Sequence, residues 1–323
     1  MAIHPLAVVD PEASVHPDAS IGPFCCLRGK VVVEAGVELR NHVTVYGRTT
    51  IGRGSILFPN CVIASDPQDL KFRGEDSEVR IGANCRIHEY VTISKGTAGG
   101  GMLTSLGDDC LVMAGAHVAH DCRLGDRVVL GNNSQLAGHV VVGRRATISG
   151  MCGVHHFATI GELTFIGAMS GVRYDAPPYC IVDGHPAEVR SLNIVGLRRD
   201  GVPDDEIRVL KDVFRALFHD KAPMSEGLVR ARDLLPAQET RAHRLVAWAA
   251  EHLEASIKGR IQEAHRVAHA AASAQTNGTA QANGKAHANG AVAMNGHANG
   301  NGHVNGNGHA DGHVATEAKP LTG

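Results

Sequence analysis

Residues 106–172 read LGDDCLVMAGAHVAHDCRLGDRVVLGNNSQLAGHVVVGRRATISGMCGVHHFATIGELTFIGAMSGV, and every sixth residue of the run is aliphatic. The stops are Leu106, Val112, Val118, Leu124, Leu130, Leu136, Val142, Ile148, Val154, Ile160, Ile166 and Val172. The same stepping starts at the N-terminus, from Ile3 through Val9, Val15, Ile21, Leu27, Val33, Leu39, Val45, Ile51, Leu57 and Ile63, and reappears at Ile81, Ile87 and Ile93. Glycine often follows the stop, as at Gly107, Gly125, Gly143, Gly161 and Gly167. A period of six with aliphatic first positions predicts a parallel β-helix. Each hexad is a short strand and a turn, three hexads close a triangular coil, and residues 18 apart stack at roughly 4.8 Å.

Two stretches break the pattern. SDPQDLKFRGED (65–76) is expected to replace two hexads without shifting the phase, and GTAGGGMLTS (96–105) adds one residue to it. The register also accounts for the cysteines. Cys25, Cys61, Cys85, Cys110, Cys122 and Cys152 all lie four places past a stop, a slot that calls for a small packing residue. No CxxC occurs, which fits a reducing compartment.

Past Val172 the pattern fades, and Pro177, Pro178 and Pro186 point to an extended connector. From Asp204, read as a helix N-cap, Ile207, Leu210, Val213, Phe214 and Leu217 fall on one helical face. SEGLVRARDLL and the segment from Thr240 continue in that style, giving a small helical domain that should pack on the end of the β-helix. The Asn/Gly/Ala/His-rich tail cannot offset its ordering entropy and is expected to be disordered. The organisation is thus a β-helix over 1–190, a helical domain over 191–273 and a low-complexity tail over 274–323.

The formal net charge of −2 offers no basic field for nucleic acid. The N-terminus lacks a signal-peptide pattern, and no apolar run approaches the ~18 residues of a membrane span. A cytoplasmic protein is expected.

The register gathers histidines. His120, Gly138 and His156 each lie two places past a stop on three successive coils, Asp121 and His139 share the next column, His155 sits one place before His156, and His117 is read at a corner. His120 and Gly138 are then about one strand spacing, ~5 Å, apart. That pair fits acyl transfer, because a neutral imidazole can take a hydroxyl proton and a glycine N–H can meet an oxyanion. Asp121 can fix the imidazole tautomer if the chain turns between the two residues. Two other readings stay open on the residues alone: a zinc site on His117, His120 and His139, and a polar strip on a solvated face.

In the stretches QDLK (Gln68–Lys71), AHVAHDC (116–122), LAGHV (Leu136–Val140), GVHHF (Gly153–Phe157) and NIVGLRR (Asn193–Arg199), the chain resembles the UDP-N-acetylglucosamine O-acyltransferases, which start lipid A synthesis. The resemblance spans about residues 3–270 and excludes the tail. It implies a left-handed coil, a homotrimer with active sites between subunits, His120 as general base for the glucosamine 3-hydroxyl, and Gly138 as oxyanion donor. The acyl thioester would arrive on the phosphopantetheine of acyl carrier protein, with no metal or other cofactor. Asp69 and Lys71 would reach the reacting groups, and Gln68 beside them would bind substrate. His117, His139 and His155 would hold sugar, pantetheine or phosphate, and Asn193 and Arg199 the nucleotide. Ala168, Met169 and Pro186 fall near the acyl-chain groove. The family often carries another basic residue where Asp200 stands, and a glutamine where His156 stands. The alternatives are a sister N-acyltransferase acting on an amino nucleotide sugar, a zinc-dependent hexapeptide-repeat hydratase, and a non-catalytic β-helix scaffold.

Overall fold

The computed structural model describes residues 2–219 and 223–255. Residues 256–273, expected to prolong the helical domain, and the tail from 274 lie outside the described residues.

Three sheets of eleven, nine and eight short strands, parallel except for the last strand of the first, form the sides of a prism. Ile3 pairs with Ile21, Val9 with Leu27 and Val15 with Val33, so each coil takes 18 residues and each aliphatic lies on the one before it. From Ile21 to Val172 every aliphatic stop is buried. At the open N-terminal end Ile3 is 36% exposed. The fold is a left-handed parallel β-helix.

Most corners from Ile21 onward share one geometry. The residue three past the stop takes a positive φ, as at Asn60, Asn133, Asp121 and His139. Its N–H bonds the carbonyl of the residue two past the stop on the preceding coil, as in Asn133 N to Ala114 O and Met151 N to Asn132 O. At the regular corners the residue two past the stop gives its own N–H to no backbone acceptor; Gly47 and Lys95, which donate to the Arg28 and Ser65 carbonyls, are exceptions. Proline, which has no N–H, accordingly fills this slot at Pro5, Pro11, Pro17, Pro23 and Pro59.

The six in-register cysteines are buried free thiols. Cys122 donates its thiol to the Ala137 carbonyl at 3.2 Å, and burial pushes it up to about 12. It is a packing residue.

The two irregular stretches are insertions at one corner, and they displace no strand. Leu57 pairs with Ile87, 30 residues on, and Ile87 with Val112, 25 on, before the spacing of 18 resumes. Both loops leave between the second and third sheets, after Val62–Ser65 and Thr92–Ser94. The next residues at that corner, coil by coil, are His120–Asp121, Gly138–His139 and His156–Phe157. The loops therefore hang beside the histidine strip.

The expected connector is instead a hairpin. Cys180–Gly184 continues the first sheet in parallel and Ala187–Leu192 returns antiparallel to it, with His185–Pro186 at the tip. Helix α1 (Ile194–Arg199) follows, then α2 (Asp204–Phe214), α3 (Met224–Asp233) and α4 (Arg241–Ala255). Pro203 holds the cap position of α2, so Asp204 is its first helical residue. Ile207, Leu210, Val213, Phe214 and Leu217 are all buried, as their spacing predicts.

Ion pairs fasten this region to the coil. Asp200 meets Arg144 at 2.7 Å, Arg145 more closely still, and Arg241 at 3.8 Å. Burial pushes its carboxyl up, but the hydrogen bonds from Arg144 and Arg145 outweigh that and hold it below the usual range. The residue that departs from the family's basic position is thus neutralised by arginines of the coil.

On α4, His252 Nδ1 meets the Trp248 carbonyl at 2.8 Å and Nε2 meets the Asp175 carboxylate at 3.0 Å. Both partners are acceptors, so both nitrogens donate and the ring fits as the cation. Burial works against that charge, yet these partners outweigh it and raise the pKa. Stability from a raised histidine is full below the unfolded value of about 6.5 and is lost as pH rises through the folded one. The melting temperature of His252→Gln should therefore lie a few degrees below the parent at pH 6 and converge with it on the alkaline side. Parallel melting curves across pH check this.

Candidate active site

The strand His117–Val118 ends at Ala119, and the corner turns through His120 and Asp121. Asp121 has φ 61°, which folds its side chain back beside its neighbour. On an extended strand the two side chains would diverge. Here His120 Nδ1 lies 2.8 Å from Asp121 Oδ2. The required turn exists.

The Asp121 side chain is fully buried, which rules out a solvated polar strip. Its carboxylate accepts from the Thr97 N–H at 2.9 Å and the Thr97 hydroxyl at 2.5 Å, while its own N–H bonds Thr104 Oγ1 at 2.8 Å. Burial alone would raise its pKa, but hydrogen bonds from His120 and Thr97 more than compensate and hold it below the carboxylate norm. An ionised Asp121 fixes the proton on His120 Nδ1 and leaves Nε2 as the nitrogen able to accept one.

His120 lies directly against Gly138. A Cβ on Gly138 would stand 2.5 Å from His120 Cε1 and 2.6 Å from Nε2, so the imidazole fills the space that any other residue's side chain would take. Gly138 also occupies the slot whose N–H the coil leaves unpaired, and among the described residues its N–H meets no acceptor. Elsewhere the same slot binds carboxylates: Ala83 N–H meets Asp108 at 2.7 Å and Asp108 N–H meets Asp126 at 2.9 Å. The Gly138 N–H thus occupies a slot that, at Ala83 and Asp108, meets carboxylate oxygens.

His139 stands edge-on to His120 at 5.0 Å and stacks on Phe157 at 4.3 Å. His117 lies within a strand, not at a corner, and its Nδ1 meets Thr92 Oγ1 at 2.7 Å. Burial, with the neighbouring His120, pushes it below the ordinary imidazole value. His120, Asp121 and His139 bring donor atoms within 4.8 Å of one another, but the Asp121 carboxylate is already taken by three hydrogen bonds. The zinc set read from the sequence, with His117 as third ligand, is not the set the fold gathers.

Two grooves meet at His120 and Gly138. One, of about 830 Å³, is walled by the first inserted loop (Gln68, Asp69, Lys71), the second (Thr97–Gly100), and Arg123 and His139. Asp69 Oδ2 lies 3.9 Å from His120 Nε2. The other, of about 690 Å³, runs along the second sheet past His117, Met151, His155, Met169, Arg173 and His185. Met169 lines it, whereas Ala168 is exposed beside it and Pro186 is not part of its wall.

Asn193 and Arg199 line neither groove of this chain. Asn193 caps α1, accepting from Gly196 N at 2.9 Å and donating to Leu163 O at 2.8 Å. Arg199 is exposed. The sequence reading missed Thr97, Arg123, Met151 and His185. Thr97 lies in a glycine-rich insertion with no period to place it, and His185 in a hairpin read as connector.

The family profile described as UDP N-acetylglucosamine O-acyltransferase, domain 2, matches residues 175–261, and the bacterial transferase hexapeptide (six repeats) profile matches 104–138. The acyl-[acyl-carrier-protein]–UDP-N-acetylglucosamine O-acyltransferase of Rhizobium johnstonii is 40% identical over 249 residues, 77% of this chain and 92% of that protein. That of an Anaeromyxobacter species is 40% identical over 75% and 95%. The solved enzyme of Acinetobacter baumannii superposes with a TM-score of 0.74 at 32% identity, covering 78% of this chain and 97% of that one. The UDP-N-acetylglucosamine acyltransferase of Francisella novicida gives 0.72 at 34%, covering 76% and 90%. With relatives at about 40% identity matched over most of their length, the chain belongs to the acyl-[acyl-carrier-protein]–UDP-N-acetylglucosamine O-acyltransferase family.

Proposed function

We propose that this protein transfers a 3-hydroxyacyl chain from acyl carrier protein to the glucosamine 3-hydroxyl of UDP-N-acetylglucosamine. The observation that carries the reading is the His120 ring, tied to Asp121 through Nδ1 and seated on Gly138 where two grooves meet. His120 Nε2 takes the hydroxyl proton as the sugar oxygen attacks the thioester carbonyl. The resulting oxyanion bonds the Gly138 N–H. Collapse forms the C–O ester and breaks C–S, and the imidazolium returns its proton to the departing pantetheine sulfur. No metal or further cofactor enters this scheme.

The groove between the inserted loops suits the sugar, where Gln68, Asp69, Lys71 and His139 stand, and the groove along the second sheet suits the acyl chain. Asn193 and Arg199 act on the nucleotide of a neighbouring subunit's site in a homotrimer, which accords with their place outside this chain's own grooves. The setting is the cytoplasm; no helix among the described residues is long and apolar enough to cross a membrane.

Mass spectrometry of the product tests the reaction. Full-length protein given 3-hydroxyacyl carrier protein and UDP-N-acetylglucosamine should yield the sugar nucleotide plus one acyl group, released by mild base as an ester is. Acylation of a 3-amino sugar nucleotide alone would overturn the O-acyl reading.

A further inference from the structure

The second inserted loop forms a socket for one side chain. Thr97 is buried, and its two donors take both oxygens of Asp121: the N–H bonds Oδ1, and the hydroxyl bonds Oδ2, the oxygen that also meets His120 Nδ1. Two fixed oxygens fix the carboxylate plane, and that plane fixes the imidazole. The loop closes on itself, with the N–H groups of Gly100 and Met102 both bonding the Thr97 carbonyl at 3.1 and 3.0 Å. Ser77, at the end of the first loop, bonds the Gly96 carbonyl at 2.5 Å and holds the root of the second. Gly100 lies so near the carboxylate that a Cβ there would stand 1.9 Å from Asp121 Cγ.

We propose that Thr97 is a positioning residue of the transfer reaction, holding the Asp121 carboxylate so that His120 keeps its proton on Nδ1 and aims Nε2 at the acceptor. This rests on the reading of His120 as the base. The role is distinct from packing, because a carboxylate has no hydrogen to give and the hydroxyl must donate its own. Sharing Oδ2 between two donors also makes Asp121 a weaker base toward His120. Around the dyad stand His139, its Nδ1 3.9 Å from Oδ2, Asp69, 3.9 Å from His120 Nε2, and the neighbouring His117.

Thr97→Val keeps the shape and removes the hydroxyl, while Thr97→Ser keeps it. In the full chain, Thr97→Val should lower kcat by about thirtyfold with KM for the sugar nucleotide within about twofold. Thr97→Ser should recover most of that loss. Without the hydroxyl the dyad binds its proton more tightly, so the acid limb of the kcat/KM profile should move to higher pH in Thr97→Val. Nuclear magnetic resonance titration of the His120 imidazole without substrate reads the same contact independently of turnover, and its midpoint should rise too. An unmoved midpoint overturns the proposal, as do equal losses in the valine and serine variants with an unmoved pH limb. Failure of the parent chain to transfer any acyl group counts against the acyltransferase reading alone, because the titration still decides the Thr97 contact.

Discussion

Replacing His120 by alanine is expected to lower kcat by about a thousandfold while the fold persists. No neighbour can take over the base. His139 presents its ring edge-on at 5.0 Å and is stacked on Phe157, and His117 has Nδ1 committed to Thr92. Asp69 Oδ2 stands 3.9 Å from Nε2, and its Oδ1 accepts from the Lys71 N–H at 2.9 Å. The structural cost is small, because Asp121 retains both Thr97 donors and loses one hydrogen bond, worth about 1 kcal/mol. Steady-state kinetics beside a melting curve check the two halves of this result. Turnover within tenfold of the parent, with the same melting temperature, would remove His120 from the mechanism.

The coil was legible because a hexad repeats one geometric event: an aliphatic turned inward every sixth residue reports the fold directly. The columns followed from the same arithmetic, which is why His120, Gly138, Asp121 and His139 could be grouped by number. What it could not supply was the direction of each side chain at a corner. The positive φ at Asp121 brings its carboxylate beside His120, and no residue type at 121 announces that conformation. Contacts outside the period were equally hidden. Thr97 reaches Asp121 from an insertion, Asp200 meets Arg144 from 56 residues away, and Asn193 caps a helix. Asp200 shows the hazard of reading a charge by position: following Arg199 it stood out only as an acid where the family often carries a base, whereas its arginine partners give it a structural task.

Adding a single methyl group at Gly138 should cost about a hundredfold in kcat. The backbone there tolerates alanine, since Gly138 lies outside the left-handed region, so the melting temperature should hold. The methyl instead enters the volume of the imidazole, 2.5 Å from His120 Cε1. That ring can retreat only by leaving Asp121, because Nδ1 is held at 2.8 Å by a buried carboxylate. Gly138→Ala thus acts through His120, and the two losses should not add: a Gly138→Ala/His120→Ala double variant should be no slower than His120→Ala by more than the oxyanion contact accounts for. With the ring gone, alanine fits the vacated space and the residue 138 N–H can still meet the oxyanion. Full additivity in the double-variant cycle would mean that glycine serves the oxyanion alone and the approach of the ring is incidental. Strong sub-additivity would identify the missing Cβ as the seat of the base.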